Sequence, residues 1–284
     1  MARGINSDSA VGGPLSLDRR DWDAAAYRRL SAPQQRWGET MLAGVSLRGD
    51  ETVIDAGCGT GTLTRVLADV VPRGRVLALD ISPAMLESAR RELADLAPRV
   101  EVRAADLGAL DLDGEADFIF SAATFHWVLD QDALYHQLFR ALKPGGSLRA
   151  QCGGEGNLTR IIHLAETLIT KRWPSLLTGW MYPARFLGVG ETEARIRRAG
   201  FEDVDITLVE APTAFETAEV YRAFLDKVVL EPMLARLPSD DDRGEILDEL
   251  VARAIRDPSP FTLDYVRLNI CGRRPPHRLE PGGP

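Results

Sequence analysis

The chain has 284 residues, 45% of them hydrophobic and 27% charged, which suits one α/β domain with an elaboration rather than two independent cores. A formal net charge of −8 lacks the basic stripe that tracks phosphates, so nucleic acid is not an expected partner. Three scattered cysteines, Cys58, Cys152 and Cys271, suggest neither a disulfide framework nor a metal site, and no apolar run reaches the roughly twenty residues of a membrane span or a signal segment, so a soluble cytoplasmic protein is expected.

Residues 1–16 are rich in glycine, serine and small side chains and read as a flexible leader. From 18 to 45, Trp22, Tyr27, Leu30, Trp37, Met41 and Leu42 recur at roughly helical spacing, and the break at Ser31 and Pro33 predicts two short helices, the proline restarting the second. Strands are predicted near 52–55, 75–79, 99–104, 116–121 and 146–152, with helices near 61–70, 83–96 and 131–141. Such alternation defines a doubly wound, mostly parallel sheet with right-handed crossovers. Ser82-Pro83 caps and opens the second of these helices, and Pro144-Gly145-Gly146 reads as a sharp turn from the third into the next strand.

Further on, 157–199 reads as helical with an irregular middle at 173–189, ending at Gly200, and 201–210 alternates Val204, Ile206 and Leu208 as a sixth strand. Two amphipathic helices, 216–236 and 243–256, joined by the acidic run 239–242, precede a seventh strand at 261–271, and the tail from Arg273 is rich in proline and glycine and reads as disordered. The expected organisation is one domain over 17–272, with its core at about 46–156 and a helical lid drawn from 17–45, 157–190 and 212–260.

The organising stretch is 51–62, ETVIDAGCGTGT: a buried-type strand ending at Asp55, a turn with Gly57, Gly59 and Gly61, then an apolar-periodic helix. Glycines there admit left-handed dihedrals and close approach of a ligand to the backbone, so a nucleotide-like ligand is expected. The dinucleotide fingerprint places its third glycine one position later, where this chain has Thr62, and a pyrophosphate would meet the charge of Asp55. A ligand carrying an ammonium and a sulfonium suits Asp55 better, which favours S-adenosyl-L-methionine. Asp80 ends the second strand where a doubly wound fold places the acid that takes the ribose hydroxyls.

Taken together, DAGCGTG at 55–61, LDISPAM at 79–85, Ala105-Asp106-Leu107 and LKPGG at 142–146 resemble class I S-adenosylmethionine-dependent methyltransferases, and within them the trans-aconitate methyltransferase-like group of small-molecule enzymes. The resemblance runs from Trp22 to Arg273 and implies a seven-stranded Rossmann-like fold. It also implies cofactor contacts from Tyr27, Asp55, Gly57, Gly59, Gly61, Asp80, Ile81, Met85, Asp106, Leu107 and Ser121, with Asp106 reading the adenine amino group and Ser121 and Ala122 lining the methionine pocket. Plain structural roles stay open for several: a strand-end aspartate for Asp106, a core methionine for Met85.

Methyl transfer is an in-line displacement that needs donor and acceptor close, aligned and dry, and no metal or nucleophilic triad. A carboxylate acceptor needs no base, whereas a hydroxyl or amine does. The segment Phe125-His126-Trp127-Val128 is similar to the tetrad of plant carboxyl methyltransferases and insect juvenile-hormone acid methyltransferases, in which the tryptophan and an N-terminal glutamine seven residues after a tyrosine hold the substrate carboxylate. Tyr27, Gln34 and Trp127 match that pattern, with Gln35 as the alternative register, and His126 is either a base for a hydroxyl substrate or a structural hydrogen bonder. The expected lid offers Trp173, Trp180, Met181, Tyr182 and Phe186, with Arg172 and Arg185 as anion partners. It looks more aromatic than cationic, which favours a largely apolar acid over a tricarboxylate.

The tetrads and nucleophiles of nucleic-acid methylating enzymes are missing from the sequence. The leading expectation is O-methylation of a small carboxylic acid by a monomer or homodimer. The alternatives are a hydroxyl- or carbon-directed methyltransferase of secondary metabolism and a cofactor-binding regulatory protein without chemistry.

Overall fold

The computed structural model describes residues 23–276. The expected leader at 1–16, Trp22 and the last eight residues of the tail lie outside the described residues.

Helix α1 (Ala24–Leu30), capped by the Asp23 carboxylate, and α2 (Ala32–Ala43), with Pro33 in its first turn, precede strand β1 (Thr52–Ala56). The chain then alternates α3 (Thr62–Val70), β2 (Arg75–Asp80), α4 (Pro83–Glu92), β3 (Val100–Ala104), β4 (Ala116–Ala122), α5 (Gln131–Ala141) and β5 (Leu142–Gly153). After it come α6 (Thr159–Arg172), α7 (Val189–Arg198), β6 (Glu202–Glu210), β7 (Thr213–Ala214), α8 (Ala218–Phe224), α9 (Glu231–Leu234), α10 (Asp240–Ala254), β8 (Thr262–Leu263) and β9 (Val266–Arg273).

The seven-stranded sheet has the order β3-β2-β1-β4-β5-β9-β6, parallel throughout except that β9 runs antiparallel to both of its neighbours. Both faces are covered, which is why the central strands carry near-continuous apolar runs. Ile54, Ile119 and Leu148 point to the layer of α5 and α7, against Leu134, Leu138 and Ile196. Val53, Phe118 and Phe120 point the other way, against Leu67 and Ala68 of α3 and Ala89 of α4. A third apolar cluster holds α6, α8, α9 and α10 together around Phe224, Met233, Leu247 and Ile169, with Tyr27, Leu30 and Trp37 of the first two helices against it. Helix α1 bridges the two sides, since Arg28 also pairs with Glu92 of α4.

Four sequence expectations are corrected. Pro144-Gly145-Gly146 is not a turn between elements: α5 ends at Ala141, and these residues lie inside β5, where the register against β4 jumps between Ala116 and Phe118. The proline and glycines are absorbed as a bulge at the entry of the strand. The acidic run is not a linker but the first turn of α10, with Ser239 as its cap, where three aspartates favour the positive end of the helix dipole. The long helix at 216–236 is broken into α8, a π-helical turn at Leu225–Val229 and α9. The stretch predicted as the last strand is split: β8 pairs with β7 in a separate ribbon, and only β9 enters the sheet, between β5 and β6.

Candidate functional site

Ligands in open parallel sheets sit beyond the carboxyl ends of the strands. There, a cavity of about 150 Å³ lies between the ends of β1, β2, β4 and β5 on one side and the helical cluster on the other. Because β9 is antiparallel, its first residues stand beside the end of β5, Arg267 opposite Gly153.

One end of the cavity is made by turns. Gly57 has φ +87°, and a Cβ there would lie 2.1 Å from Thr124 Oγ1, so only glycine lets the first loop close against the loop after β4. Gly59 has φ +53° with open space where a Cβ would be, and its N–H donates to Asp80 Oδ2 at 2.9 Å. Asp80 Oδ1 accepts from the Ser82 N–H at 2.9 Å. The aspartate is thus fixed by two backbone donors at the cavity wall, while burial still pushes its carboxyl above the usual range. Ile81, half exposed, and the buried Met85 flank it on the same wall. Asp55 faces a smaller adjoining cavity, 2% exposed, and accepts from Thr64 Oγ1 at 2.6 Å. Its burial, reinforced by the charge of Asp80 and opposed by the Thr64 hydrogen bond, pushes its pKa up to about 7.

The other end is made by side chains that converge from distant segments. A short 3-10 turn, Phe125–Trp127, presents His126 and Trp127 to the cavity. His126 Nδ1 accepts the Gly153 N–H at 3.2 Å, and burial, with the nearby Arg267 charge, drives its pKa down to about 3. The neutral ring therefore carries its proton on Nε2. Gln34 is 8% exposed; its Nε2 reaches Tyr265 Oη at 3.4 Å, and its Oε1 is buried without a partner among the described residues. Burial raises the phenol of Tyr27 to about 12 and that of Tyr265 further still, so both stay protonated. Tyr182, Phe186, Leu158 and Val229 close the wall.

Of the residues singled out from sequence, Tyr27, Gln34, Gly57, Gly59, Asp80, Ile81, Met85, His126 and Trp127 line the main cavity, and Asp55 the smaller one. Gln35 reaches only the smaller cavity, its Nε2 donating to Ser31 Oγ at 3.2 Å, so Gln34 is the register that faces both. Four do not line either cavity. Gly61 caps α3, and a Cβ there would press on Leu93 and on the Ala89 backbone of α4. Asp106 is exposed and caps a 3-10 turn through the Gly108 N–H at 2.8 Å, and Leu107 is in the sheet core. Ser121 donates to the Ala56 carbonyl at 2.6 Å, tying β4 to β1, and Ala122 and Ala123 line the wall in its place.

The expected anion partners are elsewhere: Arg172 pairs with Glu245 on the surface, and Arg185 is exposed, its backbone N–H donating to the His126 carbonyl. Trp173 and Trp180 pack on the helical cluster and Met181 is 72% exposed. Sequence reasoning missed Arg267 and Tyr265. Their signal was a charged residue between apolar neighbours in the final strand, Tyr265-Val-Arg-Leu-Asn-Ile.

A glycine-lined cradle, two buried acids on adjacent strand ends, Asp80 held by backbone N–H groups and Asp55 by the Thr64 hydroxyl, and an apolar shelf fit an adenosyl ligand with a cationic end. Among the described residues no cluster of three or more His, Cys, Asp or Glu is placed to hold a metal, and no helix is long and apolar enough to cross a membrane.

This fold and cradle define a Rossmann-like S-adenosylmethionine-dependent methyltransferase, and comparison with known proteins agrees. Residues 53–146 match a family model described as a methyltransferase domain. Trans-aconitate 2-methyltransferase from Methylobacterium nodulans is 32% identical over 67% of this chain and 68% of its own length. The enzyme of the same name from Paracidovorax citrulli is 41% identical over 46% of this chain and 50% of its own length, so the match to it spans about half of that relative. A phosphoethanolamine N-methyltransferase 2 from Haemonchus contortus shares the fold, with a TM-score of 0.58 at 18% identity, covering 89% of this chain and 56% of that one. The chain belongs to the trans-aconitate 2-methyltransferase-like family of S-adenosylmethionine-dependent methyltransferases.

Proposed function

We propose that the chain transfers a methyl group to the carboxylate of a small, largely apolar acid, giving a methyl ester and S-adenosylhomocysteine. The observation that carries the acceptor class is that the Gly153 N–H takes His126 Nδ1, the only ring nitrogen that could serve as a base in its neutral form. His126 has its Nδ1 occupied by the Gly153 N–H and is held neutral, so it presents an N–H and no basic nitrogen. Tyr27 and Tyr265 keep their protons, and Arg267, Trp127 and the Gln34 amide add further donors. A wall of donors suits an acceptor that arrives already ionised; a hydroxyl would need a base there.

S-adenosylmethionine, when bound, supplies an electrophilic methyl on a sulfonium; Asp80, Gly59, Ile81 and Met85 would hold its adenosyl part, with Asp55 toward its cationic end. In this reading Trp127 and Gln34 orient the acid by hydrogen bonds, and the helical cluster acts as the lid that excludes water. The relatives are named for trans-aconitate, an acid with several carboxylates. The wall here is mostly aromatic, with Trp127, Tyr182, Phe186 and Tyr265, and favours an apolar body. The described wall comes from one copy of the chain, so a monomer or a homodimer serves equally, and the unpaired cysteines suit a reducing cytoplasm.

The test is the pH profile of kcat at saturating cofactor on a panel of alkyl and aryl monocarboxylates and the matching alcohols. Acids alone should turn over, with kcat flat from about pH 6 to about pH 9. A base-limited rise that disappears in His126→Gln would replace the carboxylate acceptor with a hydroxyl.

A further inference from the structure

Arg267 is 4% exposed, lines the cavity and has no carboxylate within ion-pair distance among the described residues. A buried guanidinium without a counter-ion is costly, so its retention calls for an anion that the folded chain does not itself supply. Its surroundings hold it rather than neutralise it. Nε donates to Gln151 Oε1 at 3.3 Å, and Gln151 is anchored in turn by Asn269, its Nε2 to Oδ1 distance being 2.6 Å. The guanidinium lies over the Trp37 ring, 4.4 Å from its centroid, and Trp37 packs edge-on against Tyr265. With Nε engaged on the sheet side and one face on an indole, neither Nη group has a hydrogen-bond partner among the described residues. The same wall carries the unpartnered, nine-tenths buried amide oxygen of Gln34, whose amide can turn to offer its N–H₂ to an anion while Tyr265 donates to its oxygen.

We infer that Arg267 is the anchor of the acid: its fork binds one carboxylate, with Gln34 and Tyr265 beside it, and the site selects acids that carry a single carboxylate on an apolar body. This rests on the acid reading above and adds the residue and the charge count. Arginine is the residue type that matches a carboxylate bidentately, and a carboxylate has lone pairs to spare for attack when two are taken by the fork. No other arginine or lysine lines either cavity among the described residues, so a second or third carboxylate would be buried against aromatic rings without a cation.

The experiment is calorimetric titration of 3-phenylpropanoate, octanoate and trans-aconitate into the protein saturated with S-adenosylhomocysteine, for the parent, Arg267→Gln and Arg267→Lys. The parent should bind at least one of the two monoacids and prefer it to trans-aconitate. Arg267→Gln should weaken that binding about 100-fold, Arg267→Lys by less, and both should keep S-adenosylhomocysteine affinity within about twofold of the parent, since the cofactor end is untouched. Because the change removes an uncompensated charge, the melting temperature of ligand-free Arg267→Gln should equal or exceed that of the parent; a merely structural arginine would lower it. Unchanged acid affinity in Arg267→Gln, or a parent that prefers trans-aconitate, overturns the anchor and leaves the acid reading standing. If the parent binds S-adenosylhomocysteine but methylates no acid, monoacid or polyacid, the acid reading falls and the anchor with it.

Discussion

The two ends of the cavity are built in opposite ways. The end proposed for the cofactor comes from one short stretch of chain, Asp55 to Met85, and is satisfied internally: Asp80 accepts from Gly59 and Ser82, and the Gly57 N–H bonds to the Leu79 carbonyl at 2.8 Å. The end proposed for the acid gathers Tyr27, Gln34, His126, Tyr182, Tyr265 and Arg267 from almost the whole described chain, and among the described residues it keeps an amide oxygen without a hydrogen-bond partner and a guanidinium without a carboxylate. A self-satisfied end that binds a common cofactor is independent of the substrate; an end left unsatisfied is where the substrate completes the polar network.

Substitutions should therefore separate cleanly. The largest effect is expected from Gly57→Ala, whose Cβ meets Thr124 Oγ1 at 2.1 Å and whose backbone is left-handed. It should cost about 2–4 kcal/mol, read as a loss of melting temperature that adding Thr124→Gly partly restores. Next, Asp80→Ala should weaken S-adenosylmethionine binding by about 100-fold, measured by titration. Trp127→Ala and Gln34→Ala should each lower kcat/KM on an acid by about tenfold or more and leave cofactor affinity at the parental value. If either weakens the cofactor as much as the acid, the division between the ends is broken.

The smallest effect is a pH dependence at Asp55. Its pKa in the fold, about 7, lies above the ordinary aspartate value of about 3.9, so the protonated carboxyl favours the folded, ligand-free chain. That stabilising contribution is complete below the ordinary value and is lost as pH rises through about 7. A cationic ligand needs the ionised form, so S-adenosylmethionine affinity should fall up to about tenfold per pH unit below that pKa and level off above it. Asp55→Asn should bind more weakly at high pH and flatten the dependence, as calorimetry across that range would show.

The comparison also explains what the sequence revealed. The glycine turn, the two strand-end acids and the Ser82-Pro83 helix start were legible because backbone geometry demands particular residues at fixed local spacings. The helices and strands of the sheet were legible from their periodicity, except where local signals were ambiguous. Pro144-Gly145-Gly146 looks the same whether it ends an element or bulges one, and the acidic run resembles a solvated linker as much as a helix start. The family-like roles of Asp106, Leu107, Ser121 and Gly61 came from motif position, and each side chain or glycine position proves to have a local packing or capping role. Arg267 stood out only as a charge in the final strand, and its place on the cavity wall depends on β9 entering the sheet antiparallel beside the end of β5, a fact of topology that no local window contains. Arg172 and Arg185, which stand near aromatics in the sequence, line neither cavity, whereas Arg267 lines the main one.

The most direct test of the acid account is mass spectrometry of the products formed from a monocarboxylate panel with trideuteromethyl-labelled S-adenosylmethionine, before and after mild alkali. An ester-forming enzyme gives a product bearing one labelled methyl group that alkali returns to the starting acid, as an ester must. A labelled product that survives alkali, or no labelled product from a protein that demonstrably binds the cofactor, would contradict it.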